Sequence, residues 1–434
     1  LLTHASENGP SLVIVPTSLL GNWEKEISRF SPNLNVINYN SGGREKVLED
    51  LSSGDVVLIS YGLSVTNREM LEGVHWNALV LDEAQSIKNQ QTQTAKEISK
   101  IPARWRVGLS GTPIENNLGE LWSIFRVVSP GLLASFSTFR KRFIIPIEKT
   151  GSDKQRDTLK KIVSPFILRR LKTDILEELP QKIETMKLIK LSEKERKFYE
   201  AARLEARERI EKKKSRLADR LEEEGLAEKE IEKQVASSTR FDVLGTLMTL
   251  RQIAINPSLI DPEWVGTSSK NEYLQNSLFD LSKKGHRILV FSQFTRQLKE
   301  VCEAASASGL KTLYLDGTTN QEVRTQLVST FQEGQTDVFF ISLKAGGTGL
   351  NLTAADYVFH IDPWWNPATE NQASDRAYRI GQTREVNVVK LISHDTVEEK
   401  IVDMHKKKKA LSDSILEDAH TPKDFNLTEY FDLI

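Results

Sequence analysis

The stretch Ala78–Ile87, ALVLDEAQSI, decides how this chain is read. An apolar run of strand length delivers two adjacent carboxylates, Asp82 and Glu83, where the run stops. In an open α/β sheet, ligands bind outside the carboxyl ends of the strands. A strand ending in Asp-Glu therefore suits a nucleotide-hydrolysing site: the first acid offers oxygen ligands to Mg²⁺, and the second positions or activates an attacking water. Two acids after an apolar run are also an ordinary strand end, so the surrounding sequence has to choose between the readings.

Outward from this stretch, strand-like runs occur at Leu12–Val15 (closed by Pro16), Asn35–Tyr39, Val56–Tyr61, Ala78–Leu81 and Arg106–Leu109, with helical patterns between several of them. A second set follows at Arg287–Phe291, Lys311–Leu315, Asp337–Ser342, Tyr357–Ile361 and Val386–Ile392. Alternating strands and helices predict an α/β fold with mostly parallel sheets covered on both faces. Between the sets the pattern turns helical from Leu118, and Ser192-Glu193-Lys194-Glu195 is a capping box that starts a helix. The residues after it are dense in Glu, Lys and Arg, with Leu204, Ile210, Leu217 and Leu221 too sparse to fill a core. This predicts a protruding helical pair turned near Gly225, a solvated face rather than a nucleic-acid arm because its acids match its bases. The expected organisation is a first lobe over residues 1–165, a linker and helical protrusion over 166–265, and a second lobe over 266–434 ending in a basic helical tail, HKKKKALSDS.

Composition bounds the function. The 434 residues are 39% hydrophobic and 27% charged, as in a globular protein of two or three domains. No apolar run approaches a membrane span, and the opening LLTHASENGP lacks the pattern of a signal peptide. The single Cys302 excludes a disulfide framework or a cysteine-based zinc site and favours a reducing compartment. With Lys+Arg 59 against Asp+Glu 60 the net charge is −1, so a nucleic-acid site has to be a local groove.

Further motifs stand at strand ends. PTSLLGNW (Pro16–Trp23) and LSGTPIEN (Leu109–Asn116) bring small hydroxyl residues and glycine, which leave backbone N–H groups open to phosphate but are also ordinary turns. LKAGGTGLNL (Leu343–Leu352) is a glycine-rich loop after a strand. QASDRAYRIGQ (Gln372–Gln382) spaces Arg376 and Arg379 on one face of a helix, either a surface salt-bridge pair or a source of positive charge for a transferring phosphoryl group. Trp364 and Trp365 read as a packed loop near the interlobe surface rather than a base-stacking platform, and His360 as a satisfied core residue rather than a metal ligand.

Taken in order, DEAQ, SGTPIEN, VFSQF (Val290–Phe294), GGTGLNL, DPWWNP (Asp362–Pro367) and DRAYRIGQ resemble the helicase-like ATPase core of the SWI/SNF (sucrose non-fermenting) family, a branch of the superfamily-two helicases. LRQIAINPSLI and RRLKTDILEELP are similar to further family segments, and DEAQ with short insertions is more similar to the prokaryotic branch than to a nucleosome remodeller. The resemblance covers almost the whole chain. It implies two RecA-like parallel-sheet lobes with helical insertions, ATP and Mg²⁺ as ligands, and ATP-driven stepping along duplex DNA without strand separation. By position it gives Asp82 to Mg²⁺ and Glu83 to water activation, makes Arg376 and Arg379 the arginine fingers, and puts Gln372 and Gly349 at the nucleotide. Gln85 with Ser110, Gly111 and Thr112 would couple the nucleotide site to the bound strand. Nucleic-acid backbone contacts would come from Pro16, Thr17, Trp23, Ser60, Tyr61, Ser292, Gln293, Lys344, Gly347 and Thr348. Such contacts carry position rather than sequence, so binding is expected to be salt-sensitive and sequence-independent.

One family feature is missing: no G-x-x-x-x-G-K-[ST] phosphate loop occurs anywhere in the chain. Because both acids and both arginines remain, the expectation is a truncated sequence in which Leu1 and Leu2 end the helix after that loop. The alternatives are an ATPase-inactive module that binds DNA or a partner protein, and a strand-separating helicase. Expected partners are double-stranded DNA and a DNA-bound protein or RNA polymerase, with a monomeric chain, nucleoid-associated in a prokaryotic cytoplasm or nuclear in a eukaryote.

Overall fold

The β-branched and aliphatic runs become strands, and their alternation sorts the side chains onto two faces. The computed structural model describes residues 2–41, 44–111, 117–169, 179–346 and 350–404, and the chain divides into two compact units at Arg169. In the first unit, β1 (Ser11–Val15), β2 (Asn35–Asn38), β3 (Asp55–Ser60), β4 (Trp76–Leu81) and β5 (Ala103–Gly108) form a sheet in the order β2-β3-β1-β4-β5. All its pairings are parallel. Leu12, Ile14, Val57, Ile59, Leu79 and Leu81 enter the core on one face, while Val13, Val15, Val56, Leu58 and Val80 enter the core on the other. A strand buried on both faces needs a continuous apolar run, which is what LVIV and ALVL supply.

The second unit repeats this topology. Its strands are β6 (Lys182–Ile189), β7 (Ile288–Ser292), β8 (Thr312–Leu315), β9 (Val338–Ser342), β10 (Tyr357–His360) and β11 (Val386–Ser393), ordered β6-β11-β10-β7-β9-β8 and all parallel. Leu289, Phe291, Phe339 and Ile341 face one core, and Ile288, Val290, Val338 and Phe340 the other. In the first unit β1 lies between β3 and β4, and in the second β7 lies between β9 and β10, so the order in which strands are added reverses there. Each is a RecA-like lobe whose switch point, β1/β4 or β7/β10, is where a ligand is expected.

β6 was not among the expected strands. Lys182–Ile189 falls in the stretch read as linker and helical protrusion, yet it pairs residue for residue with β11 as the sheet's edge. It is exposed over most of its length, so KIETMKLI mixes charged and apolar side chains and lacks an apolar run.

The helix Glu193–Glu223 starts at the expected capping box, with Ser192 Oγ accepting from Glu195 N and the Glu195 carboxylate accepting from Ser192 N. The chain turns at Gly225, φ 76°, into the helix Glu228–Ile255. Tyr199 and Ile210 of the first pack with Val243, Leu247 and Leu250 of the second, and the same core takes in Val397 and Ile401. No helix among the described residues is long and apolar enough to cross a membrane. The HKKKKALSDS tail and most of RRLKTDILEELP lie outside the described residues.

Candidate active site

β4 delivers Asp82 to the switch point, and a tight turn follows. The Asp82 N–H donates to the Ile14 carbonyl at 2.9 Å, continuing the β1 ladder past the strand, while Ala84 N donates to Leu109 O at 2.8 Å on the β5 side. Between them Glu83 adopts φ 51°, ψ 53°, the left-handed region that a non-glycine residue rarely occupies. Both carboxylates are half-buried.

The Asp82 side chain is held on both oxygens: Trp23 Nε1 donates to Oδ2 at 2.8 Å and Glu83 N to Oδ1 at 2.9 Å. The Tyr61 hydroxyl donates to the Asp82 carbonyl at 2.7 Å. Burial, then the nearby Asp82 and Glu83, push the Tyr61 phenol far above its ordinary value, so it remains a neutral donor. From Glu83 a second chain of bonds runs outward: Gln85 Nε2 donates to Glu83 Oε2 at 2.5 Å, and Ser110 Oγ donates to Gln85 Oε1 at 2.9 Å. Residues of ALVLDEAQ and LSGT thus form one polar network at the end of the sheet.

Asp82 fits a Mg²⁺ ligand by chemistry and placement. A carboxylate has about four lone-pair positions on its two oxygens, and the two donors leave others open. Mg²⁺ is ordinarily held by one or two carboxylates together with substrate phosphates rather than by a protein cage. Accordingly, no cluster of three or more His, Cys, Asp or Glu among the described residues could hold a metal by itself.

The residues matched to backbone contacts divide into two groups. Thr17 is exposed and Pro16 half-exposed directly after β1, and Lys344 is exposed after β9; these can meet a phosphate. Ser60 and Ser292 do not fit that role in this conformation, being only 4% and 0% exposed. Ser60 Oγ caps the helix that follows it, accepting from Leu63 N, and Ser292 Oγ donates to Asp362 Oδ1 at 2.5 Å. The polar tips of Trp23 and Tyr61 likewise point to Asp82. These four hydroxyl and aromatic residues organise the two strand ends, while the half-buried Gln293 stands beside Ser292 with its N–H 3.3 Å from Asp362 Oδ1. Gly111 is exposed after Ser110; Thr112, Gly347, Thr348 and Gly349 lie outside the described residues.

In the second lobe the helix Pro367–Ser374 carries Gln372 but stops before the arginines. Arg376 and Arg379 therefore do not share a helix face; they lie on successive turns, Arg376 half-buried and Arg379 exposed. Beyond the helix the Arg376 carbonyl accepts from Leu352 N at 3.0 Å, and Gly381, φ 100°, redirects the chain. Gln382, unassigned by the motif reading, fastens this turn. Its buried amide nitrogen lies 2.8–3.0 Å from the Thr353, Ala355 and Ala377 carbonyls, and its carbonyl accepts from Thr383 N and Arg384 N. A buried amide at the end of a motif, glycine before it, is the available sequence signal.

DPWWNP is tied down by another residue the sequence did not single out. Arg251, fully buried, donates to the Pro363 carbonyl and lies 3.6 Å from Asp362. Its guanidinium stacks 4.8 Å from the Trp365 ring centroid and 5.7 Å from that of Phe294. Trp365 packs in the helical core and Trp364 against the sheet core, as expected of a packed loop. His360 is buried, bonded through Nε2 to Ser374 Oγ at 2.8 Å and stacked on Phe291; burial, then Lys390 and Lys182, hold it well below its ordinary value and neutral.

Residues 1–259 match the SNF2-related domain family and residues 269–381 the helicase conserved C-terminal domain family. A Bacillus subtilis protein named as an ATP-dependent helicase/translocase, YwqA, is 38% identical over 95% of this chain and 44% of its own length. The ISWI chromatin-remodeling complex ATPase CHR11 of Arabidopsis thaliana is 31% identical over 94% of this chain and 38% of its own length. The chain thus spans less than half the length of these curated relatives. A solved structure titled Sulfolobus solfataricus SWI2/SNF2 ATPase core in complex with dsDNA is 34% identical, covering 96% of this chain and 84% of that one with a TM-score of 0.43. With its first 259 residues matching the SNF2-related domain, and a helicase C-terminal domain after it, the chain belongs to the SNF2 family of helicase-like proteins.

Proposed function

We propose that this chain is the motor core of a DNA-dependent ATPase that steps along duplex DNA and remodels protein–DNA complexes. The observation that carries the reading is the network Asp82–Glu83–Gln85–Ser110 at the β1/β4 switch point. It sets one carboxylate to hold a cation and a second to orient a water, and joins the second to the turn after β5. The names of relatives as an ATP-dependent helicase/translocase and a chromatin-remodeling ATPase support the same reading.

In this reading Asp82 would hold Mg²⁺, which when bound with ATP neutralises charge on the phosphates. Glu83 orients the attacking water and receives its proton. Gln85 keeps the Glu83 carboxylate turned and communicates its position to Ser110. Arg376 and Arg379 carry the charge-stabilising role, with Gln382 holding their turn. Pro16, Thr17, Gln293 and Lys344 contact the DNA backbone. The phosphate-cradling loop is not among these 434 residues, so the prediction concerns the complete gene product. The second reading is an ATPase-inactive module that only binds DNA or a partner.

A triplex-displacement assay with the complete gene product separates these readings. The expected result is ATP-dependent release of a third strand from a duplex track with a forked duplex left intact. Strand separation of the fork would make it an unwinding helicase, and duplex binding without ATP turnover would make it a binding module.

A further inference from the structure

We infer that Trp23 is a positioning residue for the Asp82 carboxylate rather than a contact to the nucleic-acid backbone. The inference rests on the reading of Asp82 as the Mg²⁺ ligand and adds to it the group that aims the carboxylate. Trp23 lies on the helix Leu20–Phe30, and its half-buried ring packs against the core of Val13, Val15, Leu19, Leu20 and Ile27. Packing on the apolar body sets the direction of its one polar atom, Nε1, which donates to Asp82 Oδ2 at 2.8 Å. Indole is a donor only, so it cannot compete with Asp82 for a cation. An N–H bond to an ionised oxygen is about twice as strong as one between neutral groups. Oδ1 is fixed by Glu83 N, and the main chain of the acid by Ile14 and Tyr61. Removing Trp23 would leave the carboxylate held through Oδ1 alone, with Oδ2 no longer aimed by a donor.

The test uses the complete gene product and its Trp23→Phe and Asp82→Asn variants, with Mn²⁺ as the probe. Binding is followed by electron paramagnetic resonance in the presence of a non-hydrolysable ATP analogue, and duplex affinity is measured at one salt concentration. Loss of a hydrogen bond to a ligating group lowers metal affinity by about 10–100-fold, so W23F is expected to bind Mn²⁺ at least about tenfold more weakly with its duplex affinity unchanged. Unchanged Mn²⁺ affinity in W23F, with D82N deficient, overturns the inference and leaves the Asp82 reading standing. Lost duplex affinity with intact Mn²⁺ affinity also overturns it, returning Trp23 to the backbone contacts. If D82N itself binds Mn²⁺ normally, the Asp82 reading fails and takes the inference with it. A direct check on the 434-residue chain is the indole ¹⁵N–H spectrum: the resonance lost in W23F is expected to move in D82N, and its staying in place would contradict the contact.

Discussion

Glu83 shows how much of the site is set by the backbone. Its left-handed conformation is held by Ala84 N on Leu109 O and Ser86 N on Glu83 O, so the side-chain direction follows from the turn rather than from a rotamer choice alone. Residues in such conformations persist where the surrounding structure over-determines them, often at functional sites. Replacing Glu83 by Gln keeps the shape and removes the proton acceptor, so ATP turnover by the complete gene product is expected to fall by about 10²–10⁴-fold while duplex binding is retained. Turnover at the parent rate would remove Glu83 from the catalytic role. Asp362 supplies a residue-scale prediction in pH. Burial pushes it up to about 6, with Arg251 and Ser292 pulling the other way, against about 3.9 in an unfolded chain. Between these values the folded state binds the extra proton, so this group's contribution is fully present below about 4 and is lost as pH rises through about 6. Denaturant midpoints compared from pH 4 to 7 are expected to show a downward slope with pH that is smaller in Asp362→Asn.

At the scale of the elements, strands such as β1, β3, β4, β7 and β9 were legible because they are buried along their whole length and their runs are almost continuously apolar. β6 was not, since its exposed edge carries Lys182, Glu184 and Lys187 among Ile183, Met186 and Leu188. The arginine turn was misread as helix for a related reason: spacing of three suits both, and the turn is held by Leu352 and by the Gln382 bond to Thr353, partners distant in sequence. The acid pair was legible as a local string. Its support was not, because Trp23 reaches Asp82 across 59 positions, just as in the second lobe Ser292 reaches Asp362 across 70, and no periodicity encodes such pairs. The glycine-rich loop also gains a packing reason: a Cβ on Gly346 would stand 2.6 Å from Phe291 Cε1. Gly346→Ala is therefore expected to destabilise the second lobe by about 1–3 kcal/mol, the usual range for overpacking, read as a lower urea midpoint. An unchanged midpoint would mean that the Phe291 ring yields freely.

For the whole molecule, a net charge of −1 leaves the proposed duplex binding to a few local groups, with Lys344 the one that neutralises a phosphate and Thr17 an uncharged hydrogen-bonding partner. Each neutralised phosphate contributes a slope of about −0.9 in log K against log salt. Duplex affinity is expected to fall steeply with salt and to vary little with sequence, and Lys344→Ala to flatten that slope by about one contact's worth. A salt-independent affinity would point to base readout instead.

In the proposed motor the Asp82–Glu83 turn drives DNA-stimulated hydrolysis. Its most direct test is steady-state ATP turnover by the complete gene product, with and without duplex DNA, beside the Glu83→Gln variant. The expected result is turnover that duplex DNA raises and that the variant loses under both conditions. Equal turnover in parent and variant, or none in the parent with duplex present, would contradict it.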